Sequence, residues 1–80
     1  MTLSEATAKR INEYLFSRGI TLYKLAKDAG IPVSSLQNLY RGNAKSPTLA
    51  TIYKIINALN VTIEEFFNSE LFSPNTLELD

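Results

Sequence analysis

Hydrogen-bonding side chains cluster in a short segment near the middle of the chain. Gln37 and Asn38 carry carboxamides, and each carboxamide can pair with two atoms on the edge of an adenine. An ordinary solvated helix would show mostly Glu and Lys here. The segment therefore indicates recognition through hydrogen bonds, and its polar members are Ser34, Ser35, Gln37, Asn38 and Arg41.

Two short helices joined by a glycine turn are predicted to position this segment. The first has an apolar stripe formed by Leu22, Leu25, Ala26 and Ala29. The second has a stripe formed by Ile31, Leu36 and Leu39. Gly30 allows a sharp turn between them, small Ala26 allows a close crossing, and Gly42 is expected to end the second helix. An ordinary helical hairpin shares these features, but the polar second helix favours the helix-turn-helix, whose second helix enters the DNA major groove.

Start and stop signals predict a long first helix, from about Leu3 to Arg18. Thr2 with Glu5, or Ser4 alone, can cap its start, and Gly19 ends it. Its predicted inward face comprises Thr7, Ile11, Tyr14 and Leu15.

Two more helices are predicted after the helix-turn-helix. Ser46 is expected to cap helix 4, with Pro47 at its first position and Asn60 as a left-handed terminator. The predicted buried stripe of helix 4 comprises Leu49, Ile52, Tyr53, Ile56 and Leu59, with Ile55 at its flank. Thr62 and Glu65 form a capping box for helix 5, which is expected to end near residue 68.

These elements together resemble the Cro/C1-type (xenobiotic-response-element) helix-turn-helix domain. The resemblance rests on ITLYKLAKDAGIPVSSLQNLYRG followed by SPTLATIYKIINALNVTIEEFF, and it covers about residues 5–68. It implies an all-α, lambda-repressor-like fold, a compact five-helix bundle with a central helix-turn-helix. It also implies sequence-specific binding to double-stranded DNA, usually as a homodimer, and transcriptional regulation in a bacterium or phage.

The resemblance also assigns DNA contacts. The candidate base contacts are Val33, Ser34, Gln37 and Asn38. Asn38 is the strongest because its carboxamide can pair with adenine, whereas Val33 offers only apolar contact, for example with a thymine methyl. The candidate phosphate contacts are Tyr23, Lys24, Ser35, Arg41, Asn43 and Lys45. Ser35 is equally well explained as an N-terminal cap, and Leu22 departs from the family, which often has a phosphate-binding glutamine there.

The charges are segregated although the net charge is zero. Residues 14–63 contain six basic residues and one acid, a net charge of +5, whereas residues 64–80 contain five acids and no base. Such segregation steers a polyanion to one part of a protein, although ordinary solvation explains any single charge.

The composition argues against several other classes of protein. The chain has no cysteine and no histidine, which removes disulfides, thiolate chemistry and histidine bases, and makes a zinc site improbable. We therefore expect no enzyme, no metal and no cofactor. The longest apolar run is three residues, 14–16, and the N-terminus does not resemble a signal peptide, so a cytoplasmic protein without membrane partners is expected.

The last ten residues form a separate prediction. Residues 1–70 are assigned to the DNA-binding domain, and residues 71–80 to a tail that either joins two copies or covers the core of its own chain. The candidate dimer-interface residues are Phe67, Leu71, Phe72, Leu77 and Leu79.

Three functions fit the sequence. The leading one is a DNA-binding transcriptional regulator, expected to be a repressor. An antitoxin that represses its own operon is compatible with the short chain and its apolar tail. A protein-interaction module that has lost DNA binding is favoured by Leu22 and by the zero net charge.

Overall fold

The computed structural model describes residues 1–41 and 48–78, and this part of the chain is helical without any strand. Its helices are α1 (Leu3–Arg18), α2 (Leu22–Ala29), α3 (Val33–Arg41), α4 (Leu49–Leu59) and α5 (Ile63–Phe67), followed by a 3-10 turn, Glu70–Phe72. The predicted all-α fold of five helices is confirmed. Among the described helices, none is long and apolar enough to cross a membrane. Roles were also predicted for residues outside the described ranges, namely Gly42, Asn43, Lys45, Ser46, Pro47 and Leu79.

Threonine caps begin four of the described helices. A backbone amide three residues on donates to the hydroxyl of each cap, Thr2, Thr21, Thr48 and Thr62. α1 and α5 have the predicted capping boxes, in which Glu5 and Glu65 accept a hydrogen bond from the cap amide. The hydrogen bond from the Thr2 amide lowers the pKa of Glu5. Gly19 and Asn60 end α1 and α4 in the left-handed conformation, as predicted.

The start of α4 differs from the prediction. The cap is Thr48, whose backbone is extended, and the first helical residue is Leu49, rather than Ser46 and Pro47. A Ser-Pro pair and a threonine are both helix-start signals, and here the threonine two residues further on supplies the side-chain cap.

The buried face of α4 also differs from the predicted stripe. Leu49 and Tyr53 are 77% and 52% exposed, whereas Ile55, predicted at the flank, is fully buried. α4 packs against α2 and α5, and the face that meets them carries Ile52, Ile55, Ile56 and Leu59. The stripe is therefore rotated about the helix axis, and two large apolar side chains remain outside.

A single core joins the helices. α1 packs against α3 and against the 3-10 turn, while α2 packs against α3 and α4. The fully buried large apolar side chains come from all five helices, and they are Ile11, Leu25, Leu36, Ile55, Leu59 and Phe66. Leu36 and Leu39 are the buried residues of α3, and Val33 packs partly against the core. The polar side chains of α3 therefore remain available for contacts.

Two arginines of α1 cap the C-terminal ends of other helices. Arg10 donates from Nε to the Phe66 carbonyl and from a terminal nitrogen to the Glu65 carbonyl, both at 2.7 Å. Arg18 donates to the Leu59 carbonyl at the end of α4. Both guanidinium groups lie over the ring of Tyr14, at 4.8 and 5.2 Å from its centroid. These contacts place positive charge at the negative ends of α4 and α5 and tie both helices to α1.

The C-terminal tail packs on its own chain. The Phe72 ring lies 4.8 Å from that of Phe67 and 6.0 Å from that of Phe66, between centroids. The N-terminal ammonium of Met1 donates to the Thr76 carbonyl at 2.8 Å and pairs with Glu78 at 3.0 Å. The candidate interface residues Phe67, Leu71, Phe72 and Leu77 are half-buried in this arrangement. It matches the alternative in which the tail covers its own core, and the interface role of these residues stays a prediction.

Replacing Arg10 should weaken the attachment of α5. Arg10→Ala leaves the Phe66 and Glu65 carbonyls without their charged donor, so we expect a loss of about 1–3 kcal/mol in the free energy of unfolding. Lys9→Ala, an exposed change on the same helix, is the control, expected within about 0.5 kcal/mol of wild type. Urea unfolding measures both. Equal stability of the two variants would show that the guanidinium contacts do not contribute.

Truncating Phe72 should destabilise a single chain. We expect Phe72→Ala to cost about 1–3 kcal/mol, since a half-buried ring loses apolar burial and two aromatic contacts. Phe16→Ala is the matched control, because Phe16 is 89% exposed. A destabilisation of Phe72→Ala that vanishes at low protein concentration would instead assign this ring to a contact between chains.

Candidate nucleic-acid interface

The turn between α2 and α3 determines how α3 is presented. Gly30 lies in the left-handed region, at φ 70° and ψ 32°, and its amide donates to the Lys27 carbonyl at 3.2 Å. The Ile31 amide donates to the Ala26 carbonyl at 3.1 Å, which completes a Schellman-type helix end. Ala26 is buried, so the two helices are in close contact at this point. The predicted helix, glycine turn and second helix are therefore all present.

The outward face of α3 carries most of the predicted DNA-contacting side chains. Ser34, Gln37, Asn38 and Arg41 are all exposed and follow one another at helical spacing along α3. Within the described residues, the side chains of these four form no hydrogen bond or ion pair, so their donors and acceptors face solvent. Ser35 is exposed as well. Its amide donates to the Pro32 carbonyl at 3.0 Å, whereas its hydroxyl makes no capping bond among the described residues.

Val33 and Leu22, unlike the exposed polar side chains of α3, are half-buried. Val33, a candidate base contact, is half-buried and packs against the core, so only part of its side chain faces outward. Leu22, at the first position of α2, is also half-buried against the core. An apolar residue at the start of α2 thus stabilises the bundle and offers no hydrogen bond to a ligand.

The predicted phosphate-binding residues at the start of α2 are accessible. Tyr23 is exposed in the first turn, beside the outward-facing amides of the helix N-terminus. Lys24 is exposed too, but its Nζ pairs with Asp28 at 3.1 Å. Exposed pairs of this kind contribute only about 0–1 kcal/mol, so Lys24 can exchange its carboxylate for a phosphate at small cost.

The described cations of the basic segment differ in their contacts. Arg18 lies within the basic segment but is committed to the Leu59 carbonyl. Arg41 is exposed in the last turn of α3. Lys45 and Asn43 lie outside the described residues, so their predicted phosphate contacts stay predictions. Sequence reasoning missed the role of Arg18, because a helix-capping arginine carries no local signal and depends on where a distant helix ends.

Tyr40 occupies the side of α3 that faces α1. It lines a shallow groove together with Glu5, Ala8, Lys9 and Asn12. Burial raises the pKa of its phenol from the ordinary 10.0 to about 12. Tyr40 is nevertheless 36% exposed, so only part of its ring is covered in this groove.

The fold and the site define a helix-turn-helix protein. The model of the Cro/C1-type HTH DNA-binding domain family matches residues 10–70, about three quarters of the chain, and the chain belongs to this family. Membership in this family supports DNA binding and transcriptional regulation as the general function of the protein. Neither the comparison with curated proteins nor that with solved structures returned a match.

The raised pKa of Tyr40 predicts a loss of stability in alkali. The folded state favours the neutral phenol, so this contribution is complete below pH 10 and is lost as the pH rises through about 12. We expect the free energy of unfolding to fall less steeply over this range in Tyr40→Phe than in wild type. Tyr23→Phe, which removes an exposed hydroxyl, is the control. Parallel curves for wild type and Tyr40→Phe would contradict the prediction.

Proposed function

We propose that the protein is a sequence-specific repressor that binds double-stranded DNA and contacts the major groove through α3. The observation that carries the proposal is the exposed row of serine, carboxamide and guanidinium groups on α3, which the buried α2–turn–α3 crossing holds in place. A bound repressor of this kind acts by occupying its operator. The proposal implies a cytoplasmic location in a bacterium or phage host.

In this proposal, base recognition comes from the first two turns of α3. Asn38 pairs with an adenine through both atoms of its carboxamide, and Gln37 can act in the same way on a neighbouring base. Ser34 supplies a short donor or acceptor near the N-terminal end of the helix. The exposed part of Val33 makes apolar contact, as with a thymine methyl.

Phosphate contacts fix the orientation of α3 on both sides of the groove. Tyr23 and Lys24 bind the backbone beside the start of α2, and Ser35 and Arg41 bind it from α3. Asn43 and Lys45 do so from the loop that follows. Lys24 releases Asp28 when it binds a phosphate.

A homodimer completes the proposal, because one recognition helix covers only half of a typical operator. The sequence points to Phe67, Leu71, Phe72, Leu77 and Leu79 as its interface. Four of these are half-buried on their own chain, which leaves them little surface for a partner. An antitoxin-type autorepressor would use the same DNA contacts and differ only in its second protein partner.

A protein-interaction module without DNA binding is the second candidate function. Leu22, half-buried where the family often has a phosphate-binding glutamine, favours it. The two functions differ in whether the protein binds duplex DNA with an affinity that falls as the salt concentration rises. Selection of bound sites from random duplex DNA, followed by gel shifts over a range of salt concentrations, should yield a preferred site and a steep fall in affinity for a DNA-binding protein. No selected site, with no retarded complex at low salt, would favour the interaction module.

Asn38→Ala tests base recognition. We expect it to cost about 1–3 kcal/mol at the selected site, to relax specificity at one base pair, and to leave binding to random DNA unchanged. Asn57→Ala, an exposed asparagine of α4, is the matched control and should bind as wild type does. An equal loss of affinity for random and selected DNA in Asn38→Ala would remove Asn38 from the base contacts.

Lys45→Ala tests phosphate contact in the same assay. A lysine that neutralises one phosphate releases about one counterion. Its loss should therefore lower the affinity for all DNA sequences alike, and it should lower the slope of log affinity against log salt concentration by about one. An unchanged slope would mean that Lys45 remains solvated in the complex.

A further inference from the structure

A shallow groove with polar sides lies between α1 and α3, close to the C-terminal end of α3. It has a volume of about 370 Å³, and the side chains that line it are Glu5, Ala8, Lys9, Asn12, Leu39 and Tyr40. Ala8 and Leu39 are buried, whereas the other four side chains are exposed. An apolar base with a few polar groups around it is typical of a ligand site.

Three polar side chains of this groove have no partner among the described residues. The Lys9 ammonium, the Asn12 carboxamide and the Tyr40 hydroxyl form no hydrogen bond or ion pair there. All three can donate a hydrogen bond, and Lys9 adds a positive charge. Such a set of free donors suits a ligand with several acceptor oxygens and a negative charge, and a phosphate group has both.

The groove borders the face of α3 that is directed at DNA in the proposed function. From the helical repeat, Tyr40 lies about 60° around the axis of α3 from Gln37, on the side toward α1. An α-helix with its side chains is about 10–12 Å across and the major groove is about 12 Å wide, so a phosphate backbone lies along each side of a helix that enters it. One of the two backbones therefore runs past the side of α3 that adjoins α1.

We infer that the α1–α3 groove holds a phosphate of the DNA backbone, with Lys9 as the cation and Asn12 and Tyr40 as neutral donors. This inference rests on the proposed DNA-binding function and adds a contact from α1, which supplies none of the phosphate contacts proposed above. α1 packs against α3, so a phosphate bound by both helices fixes the rotation of α3 about its own axis in the major groove. Such a contact positions the protein and carries no sequence information of its own.

Glu5 determines which end of the groove the phosphate occupies. Its carboxylate accepts a hydrogen bond from the Thr2 amide at 2.9 Å, which lowers its pKa and keeps it negatively charged at neutral pH. This charge repels a phosphate. Asn12 lies seven residues further along α1, about 10 Å from Glu5 along the helix axis. The phosphate is therefore expected near Asn12 and Tyr40, within reach of Lys9.

Two variants separate the charge from the hydroxyl in gel shifts on a duplex that wild type selects from random DNA. Lys9→Gln removes one phosphate-bound charge, so the slope of log affinity against log salt concentration should become shallower by about one. Tyr40→Phe removes one neutral donor, so the affinity should fall by about 2- to 10-fold with the slope unchanged. Lys54→Gln is the control, because Lys54 is exposed on α4 outside this groove, and it should match wild type. Circular dichroism melting checks that every variant folds.

Modified DNA identifies the phosphate that lies in the groove. Each phosphate of the selected duplex is replaced in turn by an uncharged methylphosphonate. At the phosphate held in the groove, this replacement should weaken wild-type binding by about twofold or more and have little further effect on Lys9→Gln, since that variant has already lost the contact. Lys24→Gln is the comparison, because Lys24 is exposed at the start of α2, and it should be insensitive at a different phosphate.

Each outcome decides the inference. A phosphate whose replacement affects wild type and Lys24→Gln but not Lys9→Gln supports it. If every replacement weakens Lys9→Gln as much as wild type, or if the salt slope of this variant stays at the wild-type value, the inference is wrong while DNA binding through α3 stands.

Inorganic phosphate, titrated at constant ionic strength, distinguishes a free anion from the DNA backbone. A saturable shift of the α1 and α3 amide resonances, together with fully additive effects on the modified DNA, would assign the groove to small anions and overturn the inference. If wild type selects no duplex at all, the proposed function fails and the inference fails with it.

Discussion

The close crossing of α2 and α3 at Ala26 and Gly30 is the constraint on which the interface depends. Gly30 has φ 70°, which an L side chain rarely adopts, while a Cβ placed there would meet nothing within 4 Å. The requirement for glycine is therefore conformational rather than steric. The turn provides hydrogen bonds for the last carbonyls of α2, and Ala26 is buried where the helices cross. Leu36 and Leu39 of α3 are then buried in the core, and the polar face of α3 is directed outward as a consequence of this packing.

The arginines of α1 hold the second half of the bundle against the first. Helices as short as α5 are marginal by themselves, so their ends need external partners. Arg10 and Arg18 supply charged donors to the last carbonyls of α5 and α4, and Tyr14 lies against both guanidinium groups. Arg10 is largely buried by these contacts, whereas Arg18 remains exposed while it holds the end of α4.

Local signals predicted most helix boundaries, because a cap or a left-handed terminator acts within a few residues. Thr2 with Glu5, Thr62 with Glu65, Gly19, Gly30 and Asn60 all act as expected. The inward face of α4 was predicted less well, since alternative stripes of similar hydrophobicity run along it and only contact with α2 and α5 selects between them. Leu49 and Tyr53 were consequently placed in the core, and Ile55 at its edge. The arginine caps and the packing of Phe72 depend on residues distant in sequence, which no local pattern specifies.

Leu49 and Tyr53, predicted to be buried, lie with Ile63 in an exposed apolar patch. The core did not need Leu49, Tyr53 or Ile63, yet all three are large and apolar, and they lie together. Among the described cations, Lys24 is paired with Asp28 and Arg18 donates to the Leu59 carbonyl, whereas Lys27 and Arg41 are exposed without an ion pair. Two linked copies bind their half-sites at a high effective concentration and need less affinity from each.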